Sequence, residues 1–165
     1  SWESFNASLF GAVKTSSMIA LILMGSSFLS LAMGFTGLPR SLAEMIGGLE
    51  LSPVMLIIGL TVFYIILGCF LDGLSSIVLT MAVIEPLVRQ AGFDMIWFGV
   101  YLMIVIEMAQ ITPPIGFNLF VLQGMTGRSM GFIARASVPM FLLMIVAVLV
   151  LVAFPDLATW LPNSM

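Results

Sequence analysis

Uncharged, strongly apolar stretches occupy residues 15–39, 51–71, 108–127 and 136–155, each 20 residues or longer. At ~1.5 Å per residue such a run crosses about 30 Å of hydrocarbon as a helix, so the pattern predicts helices in lipid. The first is expected over 15–38, between Lys14 and Arg40, with Ser16, Gly25, Ser27 and Gly34 as small residues for close helix packing. Residues 39–50 hold Pro39, Gly47, Gly48 and three charges, and read as a short connector at the membrane surface.

Residues 52–90 read differently. An apolar leg runs to Leu71, a polar cluster follows at Asp72-Gly73-Leu74-Ser75-Ser76, and a second apolar leg runs only from Ile77 to about Val88, 12 residues. Twelve residues make ~18 Å of helix, too short to span, which predicts a re-entrant hairpin with its polar tip at membrane depth. A non-helical tip is tolerated there only when protein or a watery cavity surrounds it. Residues 94–124 form a second long segment, interrupted at Ile111-Thr112-Pro113-Pro114-Ile115-Gly116. Adjacent prolines cannot donate to the carbonyls of Ala109 and Gln110, so a broken helix with free carbonyls inside the membrane is expected. A final helix is expected over 132–154, stopped by Pro155-Asp156.

Composition agrees with lipid as the solvent: 61% of the 165 residues are hydrophobic, 8% are charged, and the mean hydropathy is +1.23. The fourteen methionines read as flexible gap fillers between helices. The net charge of −3 carries no basic stripe, which excludes nucleic acid as a partner. One cysteine, Cys69, and no histidine leave no disulfide and none of the usual zinc or haem ligands; Cys69 reads as a small packing residue. Residues 1–6 lack the basic start of a signal peptide. If the hairpin is re-entrant, Lys14, Arg128 and Arg135 share one face and Arg40 and Arg89 the other, which places the first set in the cytoplasm and the C-terminus in the periplasm.

A hairpin tip and a broken helix at one depth supply helix ends of both polarities to the same space. The carbonyl end of the first leg around Gly68, the Asp72 carboxylate, the Ser75 hydroxyl, and the oxygens of Thr112 and Pro113 before Gly116 suit a hard cation, and sodium is the expected guest. The amide ends that begin at Ser75-Ser76 and at Pro114, Gly116 and Asn118 suit the carboxylate of a substrate. A charge at membrane depth costs roughly 3 kcal/mol, which makes function the default reading of Asp72; the alternative is a solvated loop between two spanning helices. Glu107, within about a turn and a half of the break, is expected to be buried and is a candidate for ion coupling or for structural pairing. Phe117, Leu119 and Phe120 read as packing residues.

The segments GCFLDGLSSIVLT at 68–80, AGFDMIWFGV at 91–100 and EMAQITPPIGFNLFVLQGMTG at 107–127 resemble the large membrane subunit of TRAP transporters (tripartite ATP-independent periplasmic transporters). The resemblance runs in order along nearly the whole chain; Glu85 and Gln110 depart from the usual apolar or small residues. It implies an all-α integral membrane fold of the ion-transporter superfamily type. This chain would carry one inverted repeat, with a spanning helix, a re-entrant hairpin, a proline-broken helix and a final spanning helix. Residues 1–50 would lie on the scaffold side and 51–165 in the moving, elevator part. The resemblance further implies import of an organic acid on a sodium gradient across the bacterial inner membrane by a multi-pass protein, one sodium lying between the 72–76 tip and the 112–116 break. The implied partners are the N-terminal half of the same permease, a small membrane subunit and a periplasmic substrate-binding protein, so a segment of a longer protein is expected.

Two other classes compete with the transporter reading. An ion channel, or a proton-coupled carrier segment, would also use buried carbonyls and an acidic group, although a channel needs a symmetric oligomer. An intramembrane protease lacks a histidine base for a serine and a second membrane aspartate for Asp72, so no enzyme is expected.

Overall fold

The computed structural model describes residues 2–49, 51–113 and 116–164, without the side chains of residues 26, 30 and 163. The described residues form helices and turns with no strand, as the apolar pattern requires.

Helix α1 (Trp2–Thr36) is 35 residues long and starts well before the expected residue 15, so Lys14 lies inside the helix rather than at its end. It is uncharged over its second half, and Phe35 is 86% exposed. Gly37 ends it in the left-handed conformation (φ 67°), which a side chain would strain. The expected surface connector is instead a ten-residue helix, α2 (Leu38–Gly47). Pro39 stands in its first turn, where proline needs no donor, and does not act as a breaker. Pro39 and Ala43 are buried, Leu42 and Ile46 pack beside them, and Arg40 pairs with Glu44 at 2.8 Å on the exposed side. The helix exists because this apolar face has α4 to lie on, a tertiary partner that local breaker counting does not see.

Helices α3 (Pro53–Gly68) and α4 (Gly73–Gln90) form the hairpin. Its second leg is 18 residues rather than 12, because Asp72 caps the helix at Gly73 and the polar residues Ser75 and Ser76 lie within its first turn. The leg continues through Pro86, beside the Glu85–Arg89 pair at 2.9 Å, and ends in a Schellman motif. There Gly92 (φ 86°) donates to the Arg89 carbonyl at 3.0 Å and Phe93 to the Val88 carbonyl at 3.2 Å. Eighteen residues are ~27 Å of helix, so shortness no longer argues for a re-entrant leg.

Helix α5 (Met95–Gln110) is central and packs on α3, α4, α7 and α8. Asp94 caps it by accepting from the amides of Ile96 (2.8 Å) and Trp97 (3.0 Å). Phe93, Trp97 and Tyr101 stack along one side with centroids 4.9 and 5.6 Å apart. The Trp97 indole donates to the Leu151 carbonyl at 2.9 Å and so joins α5 to α7.

After the break come α6 (Phe117–Thr126), ended by Gly127 at φ 66°, and α7 (Met130–Ala153), close to the expected 132–154. Pro155 and Asp156 stop α7 but open a further short helix, α8 (Asp156–Asn163), that the sequence pattern did not predict. It is held by packing on α5, with Thr159 buried. Helices α1 and α7 are long and apolar enough to cross a membrane. Burial between helices in lipid lacks the driving force it has in water, so van der Waals packing and interhelical hydrogen bonds hold these helices together.

Candidate functional site

Residues 69–72 connect the hairpin legs in a tight turn. The amides of Cys69, Phe70 and Leu71 bond back to carbonyls in the last turn of α3, the latter two both to Leu67 at 3.0 Å. Asp72 then caps α4 in two ways: one carboxylate oxygen accepts from the Ser75 amide at 3.0 Å, the other from the Ser75 hydroxyl at 2.6 Å. The Ser76 hydroxyl is buried and donates to the Asp72 carbonyl at 2.9 Å. These three predicted site residues are thus one capping unit at the positive end of a helix.

The break spans residues 111–116, and Pro114 and Ile115 lie outside the described residues, Pro114 being one of the predicted substrate contacts. Its carbonyls are less free than the proline pair suggests, because the chain tightens into shorter bonds on leaving α5. Ile111 donates to Met108 at 3.3 Å, and Thr112 donates to Ala109 at 3.2 Å through its amide and to Met108 at 2.6 Å through its hydroxyl. Gly116 closes the break by donating to the Thr112 carbonyl at 3.1 Å. A Cβ at Gly116 would stand 2.5 Å from the Gln110 carbonyl oxygen and 3.0 Å from that of Thr112, so only glycine fits.

Tip and break are in contact. The Cys69 sulfur lies 4.0 Å from the carbonyl oxygen of Thr112 and 3.8 Å from that of Pro113. Gly68 packs on Ala109 without room for a methyl group, and a Cβ on Gly73 would come within 2.5 Å of Ile106. Beside this contact a cavity of about 290 Å³ is lined by Gly68, Asp72 and the turn between them, with Phe117 and Phe120 of α6 and Gly25 of α1. Gly68 and Asp72 thus line one cavity, and Thr112 and Pro113, with Gly116 bonded to Thr112, reach the tip through Cys69.

Asn118 and Glu107 are elsewhere. The Asn118 amide donates to the Glu107 carboxylate at 3.2 Å across the outside of the break, and Glu107 is exposed rather than buried. It falls on the same outward stripe of α5 as Ile96, Val100 and Met103, a side that α3 and α7 leave uncovered. Cys69, Phe117 and Phe120, read from sequence as packing residues, line the cavity. The local signal was the adjacency of Cys69 to Gly68 and of Phe117 to Gly116, with Phe120 one turn on.

Among the described residues no three His, Cys, Asp or Glu side chains converge. A cation at this place would be held by backbone carbonyls, hydroxyls and the single carboxylate of Asp72, a donor set that suits a hard monovalent ion.

The family model described as "Tripartite ATP-independent periplasmic transporter, DctM component" matches residues 1–157. The chain is 32% identical over 157 residues to a C4-dicarboxylate TRAP transporter large permease protein of Rhodobacter capsulatus, covering 94% of this chain and 35% of the relative. It is 31% identical over 149 residues to the 2,3-diketo-L-gulonate TRAP transporter large permease protein of Escherichia coli, covering 90% and 35%. To the sialic acid TRAP transporter permease protein of Haemophilus influenzae it is 24% identical over 152 residues, covering 92% and 25%. The chain thus spans about a third of the length of the curated relatives it matches, or less. No solved structure matches it.

Proposed function

Because the chain belongs to the family of the DctM component of tripartite ATP-independent periplasmic transporters, we propose that it forms the tip-and-break part of a sodium-coupled permease that imports an organic acid. The observation that carries this reading is the seating of the Cys69 turn on the Thr112 and Pro113 carbonyls, beside a cavity that Asp72 lines.

Sodium would lie between the tip, which offers the Asp72 carboxylate and the carbonyl end of α3 around Gly68, and the break, which offers the oxygens of Thr112 and Pro113. There its charge offsets the carboxylate and the negative helix end. The substrate's carboxylate would approach the positive dipole ends of α4 and α6 rather than their capped amides, since Ser75 already donates to Asp72 and Gly116 to the Thr112 carbonyl. C4-dicarboxylates, diketogulonate and sialic acid, named for these three relatives, are carboxylates, which supports that class for this chain. Loading one site then favours the other, because cation and anion neutralise each other at membrane depth.

The assembly in this reading is a multi-pass protein of the bacterial inner membrane. It works with the rest of the permease, a small membrane subunit and a periplasmic substrate-binding protein, and α3–α7 move as an elevator against the scaffold side. The Glu107–Asn118 bond supports a mechanical role for Glu107, as a strut between the two halves of the broken helix. The test is uptake by proteoliposomes holding the complete permease, with the binding protein and a radiolabelled carboxylate outside. Saturable uptake that needs an inward sodium gradient supports the reading. Uptake that follows a proton gradient with no sodium present would transfer coupling to Glu107, and ohmic current without the binding protein would favour a channel.

A further inference from the structure

The two legs of the hairpin touch each other sparingly: α3 packs mainly on α5, and α4 mainly on α2. Yet Tyr64 of α3 and Thr80 of α4, equally far from Asp72 along the chain, are both fully buried and their hydroxyl oxygens lie 2.9 Å apart. The Thr80 hydroxyl donates to the Ser76 carbonyl at 2.7 Å, so in this pair it accepts from the Tyr64 phenol. Ser76 in turn donates to the Asp72 carbonyl, and Ser75 to its carboxylate. Residues 72, 76 and 80 follow one side of α4, so these hydroxyl-to-carbonyl bonds line that side from the level of Tyr64 to the tip. One turn earlier on α3, Thr61 lies 2.8 Å from the Tyr101 hydroxyl, which also reaches the Ile57 carbonyl at 3.0 Å. Helix α3 is thereby tied on one side to the leg that carries the tip and on the other to the helix that carries the break.

We propose that Tyr64 and Thr80 are a positioning pair: their hydrogen bond sets the register of the hairpin legs and so seats the Cys69–Asp72 turn on the broken helix. Two hydroxyls among apolar side chains at membrane depth find no water when they separate, so the paired arrangement is favoured over a slipped or splayed hairpin. The consequence for ion and substrate binding rests on the reading of tip and break as the transport site; the seating of the tip does not.

Cys69, the one cysteine of this chain, reports the seating directly. In the complete permease, with any cysteine outside this segment replaced by serine, the rate of Cys69 modification by a membrane-permeant maleimide is measured in potassium without substrate. Tyr64→Phe and Thr80→Val are each expected to raise the rate about three- to tenfold, with the double variant no faster than the faster single one. Thr80→Ser, which keeps the hydroxyl, is expected to label at the parent rate. If Thr80→Val does not fold, Tyr64→Phe, which removes one oxygen and no packing atom, carries the test. Parent-like labelling of Tyr64→Phe, or Thr80→Ser labelling as fast as Thr80→Val, would overturn the proposal. A sodium arm on the parent reports separately on the transport reading: slower labelling in sodium supports coupling at the tip, and equal rates count against it while leaving the positioning pair to the potassium result.

Discussion

The sulfur of Cys69 and the carbonyl oxygen of Pro113 lie 3.8 Å apart, although the two residues are 44 positions apart in the chain and each belongs to a different helical interruption. Each interruption has a local cause, an aspartate cap in one case and a proline pair in the other. Their meeting has a tertiary cause: α5 is the common wall against which both are packed.

If sodium binds at this junction, the complete permease should unfold at higher temperature in sodium chloride than in potassium chloride. Saturation at ~100 times the dissociation constant adds about 2.7 kcal/mol of apparent stability to the folded state. Asp72→Asn and Thr112→Ala should each remove most of that difference. Identical unfolding curves for the parent in the two salts would sink sodium coupling.

Gly116→Ala places a methyl group 2.5 Å from the Gln110 carbonyl oxygen. The chain must shift at the break, at a cost of about 1–3 kcal/mol, the range for overpacked sites. Reduced thermal stability together with impaired uptake is expected, whereas Gly131→Ala, with open space at its Cβ position, should leave both unchanged.

Glu107 accepts a bond from Asn118 on the exposed side of the break, an interaction that a neutral amide also provides. Glu107→Gln should keep uptake and its sodium dependence, while Glu107→Leu, which cannot accept, should lower the uptake rate. A Glu107→Gln permease that loses both uptake and its response to external pH would instead identify the carboxylate as a proton carrier.

Trp97→Phe removes the buried donor to Leu151 and part of an aromatic stack. The loss should be roughly 1 kcal/mol for the hydrogen bond, with a further contribution from the space left by the smaller ring. Denaturant unfolding of the solubilised protein should register it with little change in sodium response, because Trp97 lies at the opposite end of α5 from the break.

What was legible in the sequence is what local chemistry decides. Charge-free runs of helical length require lipid and helices, and two adjacent prolines end α5 wherever the protein places it. The motifs around Asp72 and Thr112 were also enough to identify the family, since they lie within one short stretch of chain each. The hairpin's second leg looks too short along the sequence because the polar cluster 72–76 reads as a non-helical tip. In the fold the serines supply capping bonds, and the helix passes through Pro86.

Only the tertiary structure decided which faces are covered. Helix α2 and the unpredicted α8 exist because neighbours accept their apolar sides. Glu107 is exposed because α3 and α7 occupy the other side of α5. Cys69 became a contact of the break because α5 holds the hairpin tip against it. The sequence by itself determined solvent, helix content and the positions of the interruptions, since these depend on bonds within a few residues. The junction of tip and break, and the buried Tyr64–Thr80 and Thr61–Tyr101 pairs that hold it, depend on side chains distant in the chain meeting across helices, and periodicity along one helix carries no information about its partner.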